Sequence, residues 1–176
     1  MSLRAAWTSA ALPAVLVPDA VGTALAAELR ARLDRLGWTR YALVDRGSYD
    51  VIPALGEPDL FDVLAGIASE VTGRELRVAE ARALRLSPGD YLLTRHDRAF
   101  EDRPVEAVLD LSAAAVPRAD VHYRHRGQVF FAVAATPGLL SLVERGPTVM
   151  SNHAYVTKLW KGPPVVRAVV LLRDAR

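Results

Sequence analysis

Four histidines, His96, His122, His125 and His153, all fall in the second half of the 176-residue chain, which has no cysteine. Disulfides, thiolate metal sites and cysteine nucleophiles are therefore excluded, and His, Asp and Glu are the strong metal ligands that remain. The stretch "RHDR" sets His96 beside Asp97 at the end of the apolar run "YLL". On a strand, residues two apart share a face, so the position that pairs naturally with His96 holds Arg98. Asp97 joins His96 only if a bulge shifts the register. His122 and His125, three apart, point to opposite faces of a strand and read as surface or hydrogen-bonding residues. His153 interrupts another apolar run, and Arg167 stands alone in "VVRAVVLL". Burying a guanidinium among apolar neighbours is costly unless an anion meets it, and a bidentate carboxylate does so well. The alternative for Arg167 is the exposed face of an edge strand.

The elements that would position these groups follow from hydrophobic spacing. "AVLVPDA" reads as a short strand, with Asp19 as cap of a helix over 21–36 whose Leu25, Leu29, Leu33 and Leu36 recur at three and four places. Gly37 is expected to end that helix. "WTRYALVDRGSYDVIP" reads as extended, and a second helix is expected over 58–72, with Gly73 as its stop. From Leu76 onward, short β-like runs alternate with turn residues such as Pro88-Gly89, Pro137-Gly138 and Gly162-Pro163-Pro164. About eight such runs predict a sandwich or jelly roll rather than a parallel sheet. The expectation is a single domain, with 1–75 mainly helical support and 76–176 the β core.

Composition removes several functional classes. The net charge is only +2, and arginines such as Arg30, Arg32 and Arg35 are interleaved with Glu28 and Asp34, so no basic block points to nucleic acid. Pro13, Pro18 and Asp19 interrupt the apolar N-terminal stretch, no run is long enough to span a bilayer, and a cytoplasmic protein is expected. There is no G-x-S-x-G elbow, P-loop or dinucleotide fingerprint. Two residues separate the histidines of "HYRH", whereas cupin metal ligands stand closer. Tyr155, Leu159 and Trp160 are candidates for either an exposed patch or core, and a homo-oligomer is left open.

The order of the chemical groups carries a resemblance. A strand bearing His96, His153 fifty-seven residues on, and Arg167 fourteen after that resembles the prolyl-hydroxylase-like Fe(II)/2-oxoglutarate-dependent dioxygenases. "AVLVPDAVGTALAAELRARLDRLGW" looks like that superfamily's opening strand and helix. "LRLSPGDYLLTRHD" looks like the strand leading to its first iron ligand, and "PGLLSLVERG" like the segment before its second histidine. The resemblance implies a mainly β fold, a double-stranded β-helix (a cupin-like jelly roll) with two supporting N-terminal helices. It implies Fe(II) held by His96, His153 and a carboxylate, with positions open for 2-oxoglutarate and oxygen. Arg167 then matches the cosubstrate anchor, and "WKGPP" absorbs the long gap before it. The implied reaction is hydroxylation of a small-molecule or peptidyl substrate, with no catalytic residue beyond the metal and cosubstrate ligands.

The sequence departs from the pattern at Arg98, where the family has a carboxylate. The glycine-rich acidic segment after the third strand is replaced by "PRADVHYR". Three readings follow. Asp97 completes the triad through a bulge; Glu101 or Asp102 supplies the carboxylate; or iron chemistry is lost and the fold serves as a binding or scaffold module.

Overall fold

The computed structural model describes residues 2–93, 102 and 104–175, where the chain forms three helices and eleven strands. Their order is α1 (Leu3–Ser9), β1 (Ala14–Val17), α2 (Thr23–Arg35), β2 (Thr39–Leu43), β3 (Gly47–Ile52), α3 (Pro58–Thr72) and β4 (Leu76–Leu86). Then follow β5 (Tyr91–Leu92), β6 (Val105–Asp110), β7 (Val116–His125), β8 (Gln128–Ala135), β9 (Leu140–Glu144), β10 (Val149–His153) and β11 (Val165–Asp174).

The helices form for local reasons. In α3, Pro58 opens the first turn, Leu60, Leu64, Ala68 and Val71 form the buried face, and Gly73 closes the helix at φ 74°. That left-handed cap costs glycine nothing and would strain a residue with a Cβ. α2 buries Ala26, Leu29 and Leu33. Its start differs from the expectation: Asp19 sits at φ 49° in the preceding turn, and Gly22 takes the N-cap place without a side-chain bond. Its end differs too, because the chain leaves through an extended Leu36 rather than a left-handed Gly37. α1 is a helix beyond the two expected, too short to show periodicity. The Ser2 hydroxyl accepts from the Ala5 N–H at 3.2 Å, and Trp7 is buried.

The eight strands from β4 to β11 divide into two four-stranded sheets, β9-β6-β11-β4 and β5-β10-β7-β8, with all pairings antiparallel. Consecutive strands mostly switch sheets, which is the jelly-roll connection of a double-stranded β-helix. β1 extends the first sheet beyond β9, and β3 joins β4 to β5, so hydrogen bonding runs from one sheet into the other. At that junction a Cβ on Gly47 would lie 2.1 Å from the Tyr91 carbonyl oxygen, so only glycine permits the approach.

The first sheet is covered on both faces. One face packs on the helices through Ala83, Ala107, Leu109, Leu142, Ala168 and Val170; the other meets the second sheet through Leu84, Val108, Val143, Val165 and Val169. Two-sided burial is why β11 reads as a nearly continuous apolar run broken by Arg167, and why all six residues of β6 are buried, Glu106 and Asp110 included.

A buried carboxylate ties the rim together. Asp90 accepts from Arg40 Nη1 at 2.8 Å, Arg40 Nη2 at 2.5 Å, Ser48 Oγ at 2.8 Å and the Ser87 N–H at 2.9 Å. Burial pushes the Asp90 carboxyl up, but Arg40, Ser48 and Ser87 together hold it below its ordinary value. A depressed folded-state pKa gives stability that is full above the unfolded-state value and is lost as pH falls through the folded-state one. Asp90→Asn should therefore cost about 1–3 kcal/mol at pH 7, where the native carboxylate is charged. Urea titrations of both proteins should show that difference shrinking in acid, below the usual carboxylate range.

Candidate functional site

Period-two alternation on β11 sends Val166, Ala168 and Val170 toward the helices, and Val165, Arg167 and Val169 between the two sheets. Arg167 therefore lies inside the barrel, on a strand flanked by β4 and β6, and is only 2% exposed. The edge-strand alternative does not hold. The same alternation on β6 places Glu106 and Asp110 on the inner face with Val108.

Asp110 lies opposite Arg167 in register, its Oδ2 3.5 Å from Arg167 Nε. Arg167 Nη1 donates to His153 Nδ1 at 2.9 Å, and Nη2 donates to the Ala119 carbonyl. β7 makes that last contact possible. Its register shifts between Val116 and Val121, with Arg118 at φ 61°, a β-bulge next to the carbonyl that meets the guanidinium. His153 is buried at the end of β10, opposite Val121 on one side and Leu92 of β5 on the other. Burial lowers the pKa of Arg167 from its ordinary value, and the carboxylates of Asp110 and Asp120 oppose that shift.

A second polar group lies on the same inner face, toward the Val105 end of β6. Glu106 Oε1 accepts from the Tyr123 hydroxyl at 2.9 Å, and Arg145 Nη1 donates to Glu106 Oε2 at 2.6 Å and to Ser151 Oγ at 3.0 Å. Burial, reinforced by the negative charge of Glu106, pushes the Tyr123 phenol well up, so it stays neutral and donates. Between the two polar groups lie apolar neighbours such as Val108, Val121 and Val169.

The structure thus brings His153 and Arg167 into direct contact. His96, Asp97 and Arg98 lie outside the described residues, as does Glu101. Among the described residues, no three His, Cys, Asp or Glu side chains gather to hold a metal. His125 pairs with Thr148 Oγ1 at 3.0 Å, while His122 Nε2 stands 3.8 Å from Asp120 Oδ2, beyond hydrogen-bond distance. Leu159 is 85% exposed and Tyr155 about half exposed, while Trp160 packs on the inner core. Sequence reasoning missed Asp110 and Glu106. The available signal was "VEAVLD", an apolar strand carrying two carboxylates four apart, hence on one face.

No family model matches the sequence, and no curated protein matches it. Solved structures do. A prolyl-4-hydroxylase from Pseudomonas putida superposes with TM-score 0.73 at 15% identity, covering 99% of this chain and 100% of that one. The fold is that of the 2OG-Fe(II) oxygenases. SnoN, a non-heme alpha-ketoglutarate-dependent epimerase from nogalamycin biosynthesis, matches with TM-score 0.73 at 17% identity over 98% of this chain and 80% of its own. HygX from Streptomyces hygroscopicus, solved with nickel and 2-oxoglutarate bound, matches with TM-score 0.65 at 14% identity, over 92% of this chain and 83% of its own. Within the oxygenase fold of this chain, the interior cation Arg167 meets a histidine, a carbonyl and a carboxylate from three different strands, the carbonyl beside the bulge in β7.

Proposed function

We propose that the chain is an Fe(II)/2-oxoglutarate-dependent oxygenase-like protein, with 2-oxoglutarate anchored by Arg167 and iron held by His96, His153 and Asp97. The observation that carries this reading is the buried guanidinium inside an oxygenase-type barrel, in contact with the histidine fourteen residues before it. Such a cation requires an anion, and a free carboxylate can engage arginine through two parallel N–H···O bonds. Arg167 fits one carboxylate of the cosubstrate well. Val108, Val121, Val165 and Val169 keep water from its surroundings, which strengthens the attraction.

His153 fits a metal on one condition. Arg167 is a permanent donor, so Nδ1 of the contacted ring must accept, and the proton of a neutral imidazole then sits on Nε2. Ligation through Nε2 needs the opposite tautomer, with Nδ1 carrying the proton and facing an acceptor. Arg167 must therefore turn away from His153 before that nitrogen is available. Bound iron would supply the activation of oxygen that hydroxylation of a small-molecule or peptidyl substrate requires.

A second reading, a homologue without catalysis that acts as a binding or scaffold module, is favoured by two observations. Arg98 stands where the pattern has a carboxylate, and the cosubstrate anchor is already neutralised by Asp110. The two readings separate in one experiment, anaerobic titration of the purified protein with Fe(II) and 2-oxoglutarate. The oxygenase reading predicts a weak visible charge-transfer band and thermal stabilisation by the metal. Absence of both supports the second reading. An Arg98→Asp variant that gains the band would place the loss at that residue.

A further inference from the structure

The contact between Asp110 and Arg167 is a poor one for two buried opposite charges. Charge-assisted N–H···O bonds close to roughly 2.7–2.9 Å, whereas Asp110 Oδ2 stops 3.5 Å from Arg167 Nε. Oδ2 is buried and accepts no hydrogen bond among the described residues. The other oxygen, Oδ1, accepts from the Ser112 N–H at 2.9 Å, a turn within the chain's own backbone that holds the carboxylate back. Ser112 is itself fixed, because its hydroxyl accepts from the Val166 N–H at 3.1 Å. Asp110 therefore neutralises Arg167 end-on and at a distance, leaving unused the paired bonding a guanidinium offers a carboxylate.

We propose that Asp110 is an intramolecular ligand of the barrel's anion site, holding the place that a small dicarboxylate must take to reach Arg167. This rests on the reading of Arg167 as the 2-oxoglutarate anchor. It adds that the native chain opposes such a ligand with its own carboxylate. An entering anion must displace Asp110 or share the guanidinium with it, and each course puts two negative charges against one cation in a low-dielectric interior. Removing the Asp110 charge relieves that opposition and leaves Arg167 needing an anion. Affinity for small carboxylates is thus set by residue 110, and Arg167 alone does not determine it.

The test is calorimetric titration with 2-oxoglutarate, without metal, of the native chain, Asp110→Asn, and Asp110→Asn combined with Arg167→Met. The expected result is binding at least about tenfold tighter in Asp110→Asn than in the native chain, abolished by Arg167→Met. Equal or weaker binding in Asp110→Asn overturns the proposal, as does a gain that survives Arg167→Met. If Asp110→Asn does not fold, Asp110→Ser keeps an oxygen for the Ser112 turn and is read the same way. If it does not fold either, recovery of the folded state by added 2-oxoglutarate counts for the proposal, and failure of millimolar 2-oxoglutarate to recover it counts against. A native chain that binds as tightly as the variant sinks this inference and leaves the oxygenase reading standing. A variant that binds where the native chain does not supports the inference and removes the oxygenase reading from the native chain.

Discussion

Arg167→Ala should lower the free energy of unfolding by about 3–5 kcal/mol, because it removes one partner of a buried ion pair and leaves the other charged in the interior. Among the described residues, Asp110 would keep a buried carboxylate with the Ser112 N–H as its one donor, and His153 Nδ1 and the Ala119 carbonyl would each lose the Arg167 donor. The loss concerns charge and unsatisfied polar groups more than lost packing, and this distinction can be measured. Arg167→Met with Asp110→Asn removes charge from both sides, and should recover a large part of the loss despite carrying one more substitution. Urea unfolding midpoints at constant slope provide the comparison. A loss below about 1 kcal/mol for Arg167→Ala, of the size usual for exposed ion pairs, would mean that the guanidinium is solvated rather than enclosed.

Glu106→Ala should destabilise the chain by a similar amount, about 3–5 kcal/mol, since it strips the buried acceptor from Arg145 and from the Tyr123 hydroxyl together. Tyr123→Phe should cost much less, about 1–2 kcal/mol, because only a neutral donor is lost and the ring still packs against Phe131. The size of the Glu106 effect follows from the side-chain burial of its ion pair, 4% exposed for Glu106 and 10% for Arg145. A double-mutant cycle on Glu106 and Arg145 should give a coupling well above the usual surface value. Chemical denaturation of the four proteins is the check. Coupling near zero would show that Glu106 and Arg145 do not meet inside the barrel.

These two polar groups explain what the sequence revealed and what it hid. α3 was legible from end to end because its apolar spacing, Pro58 and Gly73 are all local signals. The start of α2 was misread because Asp19 has the chemistry of a cap, but the turn around it delays the helix to Thr23. In "TVMSNHAYVTKL" the β-like residues continue past His153, yet β10 stops there and the chain beyond it turns into a loop. The His153–Arg167 pair was legible by resemblance, through order and spacing. Asp110 was not, since its meeting with Arg167 depends on the register between β6 and β11, fifty-seven residues apart in the chain. The same reason hid Glu106 and Arg145, which meet only when the strands are aligned. "RHDR", the most suggestive stretch in the sequence, lies outside the described residues, so its departure at Arg98 still rests on the sequence.

The most direct test of the account is the protonation of the His153 ring, read by nitrogen NMR of histidine-labelled protein. In the metal-free native chain the ring proton should sit on Nε2, with Nδ1 bare and accepting from Arg167. Zn(II) with 2-oxoglutarate, a diamagnetic substitute for the iron complex, should move the proton to Nδ1. A metal-free ring protonated at Nδ1 would contradict the Arg167–His153 contact on which the site is built.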